Sequence, residues 1–134
     1  MPRLKLEHIA IDVPEPEAAI AWWCGNLGMR RSAPGSAFLM DDSGVAGLEV
    51  YRTGATPSAP AYRDMDPMTL HIAFATEDVE ADVSRLVAAG ATFVSSDVKD
   101  GFGVAMLRDP WGVPLQLCRR REPVFMQARE AGAK

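Results

Sequence analysis

Alternating apolar and polar residues occur in short runs along the chain, and one of these runs is repeated. Residues 8–12 read His-Ile-Ala-Ile-Asp and residues 71–75 read His-Ile-Ala-Phe-Ala. Each run precedes an acidic segment and a helical stretch, and each helical stretch ends at a glycine, Gly28 or Gly90, which suits a left-handed C-terminal cap. Three further strand-like runs follow each helix. The pattern therefore predicts two βαβββ repeats.

The predicted helices cover residues 18–27 and 79–89, with Thr76 as a candidate N-cap of the second helix. The other predicted strands lie at 29–32, 36–40, 45–52, 92–95, 104–108 and 113–119. In each repeat the last two strands are joined by residues typical of hairpin turns, 41–44 and 109–112. We interpret 32–35, 54–67 and 95–101 as loops that would set the size of a pocket.

Neither repeat is long enough to bury a useful core alone, since each has only about 60 residues. We therefore expect the two modules to pair within a single domain spanning 1–134. Module 1 covers about 4–53, the connection 54–67, module 2 about 68–119 and the C-terminal tail 120–134. For the tail we expect a short helix or a frayed end.

Four strands each carry one metal-capable side chain on the face opposite their bulky apolar residues. These side chains are His8, Glu49, His71 and Gln116. Their neighbours on that face are mostly small, which leaves room for a cavity. His8 and His71 are the two histidines of the chain, and they occupy equivalent positions in the two repeats. The pattern predicts a lined pocket, and the open alternative is a pair of half-buried, structural histidines.

Composition narrows the class of protein. With 134 residues, 48% hydrophobic and 24% charged, the chain is typical of a globular domain. No apolar run approaches the roughly 18 residues of a membrane span, and the N-terminus lacks the apolar core of a signal peptide, so we expect a cytoplasmic protein with no membrane partner. A net charge of −4 argues against nucleic acid as a partner.

We interpret the basic cluster 119–121 as a solvated or self-associating tail, and Cys24 and Cys118 as buried thiols.

Three segments carry a family resemblance: "HIAID", "HIAFA" and "RDPWGVPLQL". Over residues 4–119 the chain resembles the vicinal oxygen chelate superfamily, which includes glyoxalase I, methylmalonyl-CoA epimerase, fosfomycin-resistance proteins, extradiol dioxygenases and bleomycin-binding proteins. The resemblance implies an α+β fold in which two βαβββ repeats form a cupped, partly open eight-stranded mixed sheet with helices on the outer face. It also implies a homodimer.

The same resemblance implies that His8, Glu49, His71 and Gln116 bind one divalent metal ion, either Zn, Ni, Co, Mn or Fe. Gln116 departs from glyoxalase I, which usually has Glu at this position. Glu49 and Gln116 also follow their turn glycines at unequal spacing. A bulge at Gly47 would absorb the extra residue; without it, Glu49 would not be the equivalent of Gln116.

The implied function is a lyase or isomerase that chelates a small oxygenated substrate, with Glu49 as the catalytic residue for proton transfer. One alternative is a metal-free drug-binding or metabolite-binding protein of the bleomycin-resistance type. A second is an Fe(II) extradiol-type dioxygenase that uses both histidines and Glu49. The candidate substrate-pocket residues are Tyr51, Phe38, Met40, Phe102, Met106 and Trp111. The candidate cationic contacts to a glutathione-type thiol are Arg52, Arg63 and Arg108.

Overall fold

The computed structural model describes residues 1–54 and 60–125. The chain divides into two compact units, Met1–Pro60 and Ala61–Lys134, here called unit 1 and unit 2. The division lies within the segment 54–67 that we interpreted as a connection. The predicted C-terminal helix or frayed end lies, from residue 126 onward, outside the described residues. Across residues 1–54 and 60–125, no helix is long and apolar enough to cross a membrane.

Unit 1 forms one four-stranded mixed sheet with one helix. Its elements are β1 (His8–Asp12), α1 (Pro16–Leu27), β2 (Arg30–Arg31), β3 (Phe38–Met40) and β4 (Gly47–Tyr51). The strand order is β1-β4-β3-β2, with β1 parallel to β4 and the other pairs antiparallel. Pro16 begins α1, where its missing N–H costs nothing, and Gly28 ends it with φ of 70°. Ile20 and Trp23 of α1 are fully buried.

Unit 2 repeats this arrangement. Its elements are a 3₁₀ turn (Tyr62–Asp64), β5 (Ile72–Ala75), α2 (Val79–Ala88), β6 (Thr92–Lys99), β7 (Phe102–Arg108) and β8 (Pro114–Arg119). The strand order is β5-β8-β7-β6, again with one parallel pair, β5 and β8. Leu86 of α2 and Leu107 and Leu115 of the sheet are completely buried. The predicted α+β fold of two βαβββ modules is confirmed, as two four-stranded mixed sheets.

The N-cap of α2 is Asp78, so the prediction of Thr76 was wrong. The Asp78 carboxylate accepts a hydrogen bond from the Ala81 amide at 3.0 Å. Thr76 instead accepts from the Asp78 amide at 3.1 Å and donates to Asp82. Both residues are good caps by type, and the backbone φ and ψ at Asp78, in the extended region, decide between them.

The segment 95–101 is not a loop, because β6 continues to Lys99 and β7 begins at Phe102. Asp100 and Gly101 form the turn with φ of 54° and 77°, which is the left-handed backbone that a two-residue type I′ hairpin requires. Asp-Gly is a strong hairpin signal in any sequence, and our interpretation overlooked it. The result is a long, mostly exposed edge strand in unit 2.

Gly47 is required by a close backbone approach and not by a bulge. A Cβ at this position would lie 2.1 Å from the Leu39 carbonyl oxygen. The β3–β4 ladder runs without a shift from Met40 opposite Gly47 to Phe38 opposite Glu49. The extra residue of module 1 lies instead in the turn, since residues 41–46 link β3 to β4 whereas the shorter segment 109–113 links β7 to β8.

Candidate metal-ligand pairs in the two units

In unit 1 the adjacent strands β1 and β4 bring His8 and Glu49 together. Glu49 is opposite Ala10 in the parallel ladder, and His8 precedes Ala10 by two residues, so both side chains lie on one face. His8 Nε2 is 3.5 Å from Glu49 Oε2, and each side chain is 31% exposed. Two ligands of one tetrahedral ion lie about 3.4 Å apart when their bonds are about 2.1 Å long. The pair is therefore spaced to share an ion.

The second nitrogen and the ring edge of His8 are also contacted. Nδ1 lies 3.3 Å from Glu7 Oε1, in a geometry that is not a hydrogen bond, and Nδ1 itself is buried. The Phe38 ring packs at 5.1 Å and nearly perpendicular, at 87°. The Glu7 carboxylate therefore lies near Nδ1 without the hydrogen bond that would fix the His8 tautomer and orient the ring toward a metal.

In unit 2, His71 directly precedes β5, and its Nδ1 is 2.9 Å from the Pro67 carbonyl oxygen. Because a carbonyl only accepts, Nδ1 must donate, which leaves Nε2 of the neutral ring with its lone pair. Gln116 lies on the adjacent strand β8, 8% exposed, opposite Ala73 of β5 and Met106 of β7. Unit 2 thus has an imidazole Nε2 directly before β5 and a nearly buried amide on the adjacent strand β8.

The strand registers make Glu49 and Gln116 equivalent. Glu49 is opposite Ala10 and Gln116 is opposite Ala73, and each alanine follows its histidine by two residues. On the other side, Glu49 is opposite Phe38 of β3, while Gln116 is opposite Met106 of β7. The unequal spacing along the chain therefore does not break the repeat.

Two predicted pocket residues accompany the unit 1 pair. Met40 is opposite Gly47, which in turn is opposite His8, so Met40 lies in the same row of the sheet. Tyr51, half-buried, shares the face of Glu49 at the end of β4, opposite Asp12.

In unit 2, Met106 is buried beside Gln116, as described above. Phe102 lies four residues away along β7, roughly 13 Å at strand spacing, where its ring contacts Arg119 and Arg121. Trp111 lies in the β7–β8 turn, and its amide donates to the Asp109 carboxylate at 2.9 Å.

Two of the predicted cationic contacts are structural. The Arg108 guanidinium donates to the carbonyl oxygens of Tyr62 at 2.7 Å, Met65 at 2.7 Å and Gly112 at 3.2 Å. Arg63 donates to the Pro110 carbonyl oxygen. These arginines fasten the segment that precedes β5 to the β7–β8 turn, which gives both of them a structural role.

Asp109 is a buried polar residue that the sequence indicated only as part of a hairpin turn. It is completely buried in the β7–β8 turn, and its Oδ1 accepts from the amides of Trp111 and Val113, each at 2.9 Å. The "DPWG" turn pattern carried the available signal, because an aspartate that begins a turn commonly binds the amide two residues on.

A cavity of about 250 Å³ lies within unit 2, beside the face that carries Gln116. It is lined by Ala73, Ala75, Thr76, Cys118, Arg119, Arg120, Pro123, Val124 and Phe125. Burial raises the pKa of the Cys118 thiol, and the positive charge of Arg120 partly opposes that rise. Within neither unit do three or more His, Cys, Asp or Glu side chains gather as a metal site among the described residues.

Two βαβββ units that each place a histidine and a carboxylate or amide on matching strands define the vicinal oxygen chelate class of proteins. A family model described as "Glyoxalase-like domain" matches residues 8–118, and the chain belongs to this family. No protein of curated function matches the chain significantly.

Solved structures with the same fold have diverse descriptions. A glyoxalase family protein from Bacillus cereus is 18% identical, with a TM-score of 0.70, covering 87% of this chain and 94% of its own. TnmS3, an antibiotic binding protein from Streptomyces sp. CB03234, is 20% identical, with a TM-score of 0.66 and coverage of 90% and 98%. The trypanothione-dependent glyoxalase I of Leishmania major is 24% identical, with a TM-score of 0.64 and coverage of 87% and 86%. At these identities the likeness shows the fold alone.

Proposed function

We propose that the chain is a metal-dependent lyase or isomerase of the glyoxalase I type. Its divalent ion would be bound by two pairs of ligands, His8 with Glu49 and His71 with Gln116. The observation that carries the proposal is the 3.5 Å separation of His8 Nε2 and Glu49 Oε2. The Pro67 carbonyl at His71 Nδ1, which leaves Nε2 as the ligand atom, supports it.

The chemistry of the donor set fits this class of reaction. Two imidazoles, one carboxylate and one amide suit Zn, Ni, Co, Mn or Fe, and such an ion, when bound, supplies Lewis-acid stabilisation to the oxygens of a chelating substrate. Glu49 is the one acidic side chain of the set, so it is the group that removes a proton from the carbon next to a substrate carbonyl. Gln116 is neutral and serves as a ligand only.

Metal content tests the ligand set directly. Protein purified without an affinity tag or chelator should contain about one divalent ion per chain by elemental analysis. His8→Ala and His71→Ala should each lose it, while Glu77→Gln, which removes an exposed carboxylate elsewhere, should keep it. If only one of the two histidine variants loses the ion, the two pairs do not share it and the four-ligand site is wrong.

Turnover tests the reaction class. Metal-loaded protein should isomerise or cleave an adduct of a dicarbonyl compound and a thiol, or interconvert acyl-CoA epimers. If it instead consumes oxygen with catechols after loading with Fe(II), the dioxygenase alternative replaces the proposal. If none of these substrates turns over on fully metal-loaded protein, the lyase or isomerase assignment fails.

A metal-free binding protein is the second candidate, and the cavity in unit 2 favours it. Its lining is largely apolar, from Ala73 and Ala75 to Val124 and Phe125. Met106, beside Gln116, adds an adaptable apolar side chain to the same sheet face. If purified protein takes up no Zn, Ni, Mn or Fe(II) and yet binds a hydrophobic small molecule in a calorimetric titration, this candidate holds.

We further propose that the protein acts as a homodimer on a small molecule in the cytoplasm. Exposed apolar residues on edge strands support self-association: Ile9 of β1 is 50% exposed and Phe93 of β6 is 50% exposed. Sedimentation velocity at micromolar concentration tests this, since a monomer at all concentrations would contradict it.

A further inference from the structure

A second cavity in unit 2, about 510 Å³ and open to solvent, is lined by basic side chains. It lies where the β6–β7 turn meets the end of β8 and the residues that follow. Its lining residues are Lys99, Phe102, Gly103, Arg119, Arg120, Arg121, Glu122 and Val124. The chain as a whole has a net charge of −4, whereas four cationic side chains line this one cavity.

Two of the arginines are held beside one aromatic ring. The guanidinium carbons of Arg119 and Arg121 lie 4.5 Å and 4.2 Å from the centroid of Phe102. Cation–π attraction favours each contact, but it places two like charges close together. An anion bound near both groups would offset that repulsion.

The local carboxylates do not satisfy these arginines. Arg121 is 3.7 Å from Asp100, a loose and exposed ion pair, since the two side chains are 65% and 72% exposed. Arg119 Nε is buried and has no hydrogen-bond partner among the described residues. A buried donor without a partner is costly, which points to a ligand oxygen as the missing acceptor.

The hairpin turn makes room for this arrangement. A Cβ at Gly101 would lie 3.4 Å from Arg119 Nη1, so a side chain there would crowd the guanidinium. The left-handed Asp100-Gly101 turn also reverses the strand tightly enough to bring Lys99 opposite Phe102.

We propose that this cavity binds a compact oxyanion of the phosphate class, with Arg119 and Arg121 as its principal contacts. The planar guanidinium fork matches phosphate oxygens in pairs, which the ammonium of a lysine does not. Val124 and Gly103 provide an apolar wall beside the charges. The site is independent of the metal-ligand pairs and needs no metal.

The test is a titration of ¹⁵N-labelled protein with inorganic phosphate at constant ionic strength, followed by NMR. The Nε–H signal of Arg119 and the amides of 99–103 and 119–122 should shift saturably. Arg121→Gln should weaken phosphate binding about tenfold, as expected when one charged hydrogen-bonding partner is lost. Arg121→Lys should also weaken it, because the charge remains but the fork is lost.

Arg3→Gln is the matched control, since it removes the same charge from the exposed N-terminal segment. It should leave phosphate affinity unchanged. Shifts that do not saturate, or an equal loss of affinity in Arg3→Gln, would mean an adventitious ion only and overturn the proposal. A parallel titration with phenyl phosphate distinguishes an organic phosphate from free phosphate as the ligand. Tighter binding of phenyl phosphate than of inorganic phosphate identifies an organic phosphate, and equal binding identifies the free ion.

Discussion

The two units have the same order of strands, but they carry different side chains at the candidate ligand positions. In unit 1 the histidine is paired with a carboxylate, and both side chains are 31% exposed. In unit 2 the equivalent of Glu49 is an amide, Gln116, which is buried where Glu49 is half-buried. The parallel strand pairs that carry these residues keep the same register. The repeat therefore keeps the same strand register in both units, while the carboxylate at this position is found in unit 1 and the amide in unit 2.

The antiparallel hairpin strands differ between the units much more than the parallel strands do. In unit 1 the hairpin pair, β2 and β3, has two and three residues, whereas in unit 2 the pair β6 and β7 has eight and seven. The hairpin strands differ in length while the parallel pairs keep the same register. The long hairpin of unit 2 contributes Lys99, Phe102 and Gly103 to the lining of the basic cavity.

The largest expected effect is on turnover, because it isolates the one carboxylate that distinguishes the units. Glu49→Gln makes unit 1 resemble unit 2 and should reduce turnover about 10²–10⁴-fold, with substrate still bound. Steady-state kinetics on metal-loaded protein measures this, and substrate affinity is followed separately by calorimetry. Turnover close to that of the wild type would remove Glu49 from the proton-transfer role.

The next largest effect is on stability, and it compares the β7–β8 turn of unit 2 with the β3–β4 turn of unit 1. Asp109→Ala leaves the amides of Trp111 and Val113 without their acceptor in a buried turn, and should lower the free energy of unfolding by about 3 kcal/mol. Asp41→Ala removes hydrogen bonds to Ser43 and Gly44 in an exposed turn, and should cost less than about 1 kcal/mol.

Urea unfolding of the two aspartate variants, at an unchanged m-value, gives both free energies. Equal losses in the free energy of unfolding would show that burial of the β7–β8 turn does not determine how much Asp109 stabilises the protein.

A smaller effect, on metal affinity, is expected when both units carry a carboxylate at the equivalent positions 49 and 116. Gln116→Glu gives unit 2 the carboxylate that unit 1 already has, and a second anionic ligand should tighten binding of Zn²⁺ about tenfold or more. Competition with a chromophoric chelator measures the affinity. Met106→Leu, a volume-conserving change opposite Gln116, serves as the control. Weaker metal binding in Gln116→Glu than in the wild type would argue against Gln116 as a ligand.

The smallest effect concerns the thiol in unit 2. Burial raises the pKa of Cys118 and Arg120 lowers it, so Arg120→Gln should raise the pKa further and leave less thiolate at pH 8. Alkylation by iodoacetamide in a Cys24→Ser background should slow by less than about tenfold. Mass spectrometry follows the rate, and faster alkylation would reverse the sign assigned to Arg120.

Local patterns were sufficient for the repeated architecture and for the faces of the strands. The runs at 8–12 and 71–75 and the glycines after each helix predicted two βαβββ modules, because strand alternation and helix caps depend only on near neighbours. The same alternation predicted one shared face for His8 and Glu49, which agrees with the register of β1 and β4, whereas the role of the four residues as ligands stays a prediction. Where local signals competed, as at Thr76 and Asp78, the prediction failed.

Contacts between distant segments required the folded chain. The registers that make Glu49 the equivalent of Gln116 depend on how β1 meets β4 and β5 meets β8, and no local signal specifies such pairing. Arg108 was a plausible ligand contact by residue type, and only packing against the segment of Tyr62 made it structural. The sequence alone determined the modules and the residue types of the candidate site, because these follow from neighbours along the chain. Tertiary structure decided which of those residues face one another, because that depends on ladders and turns formed between segments far apart in sequence.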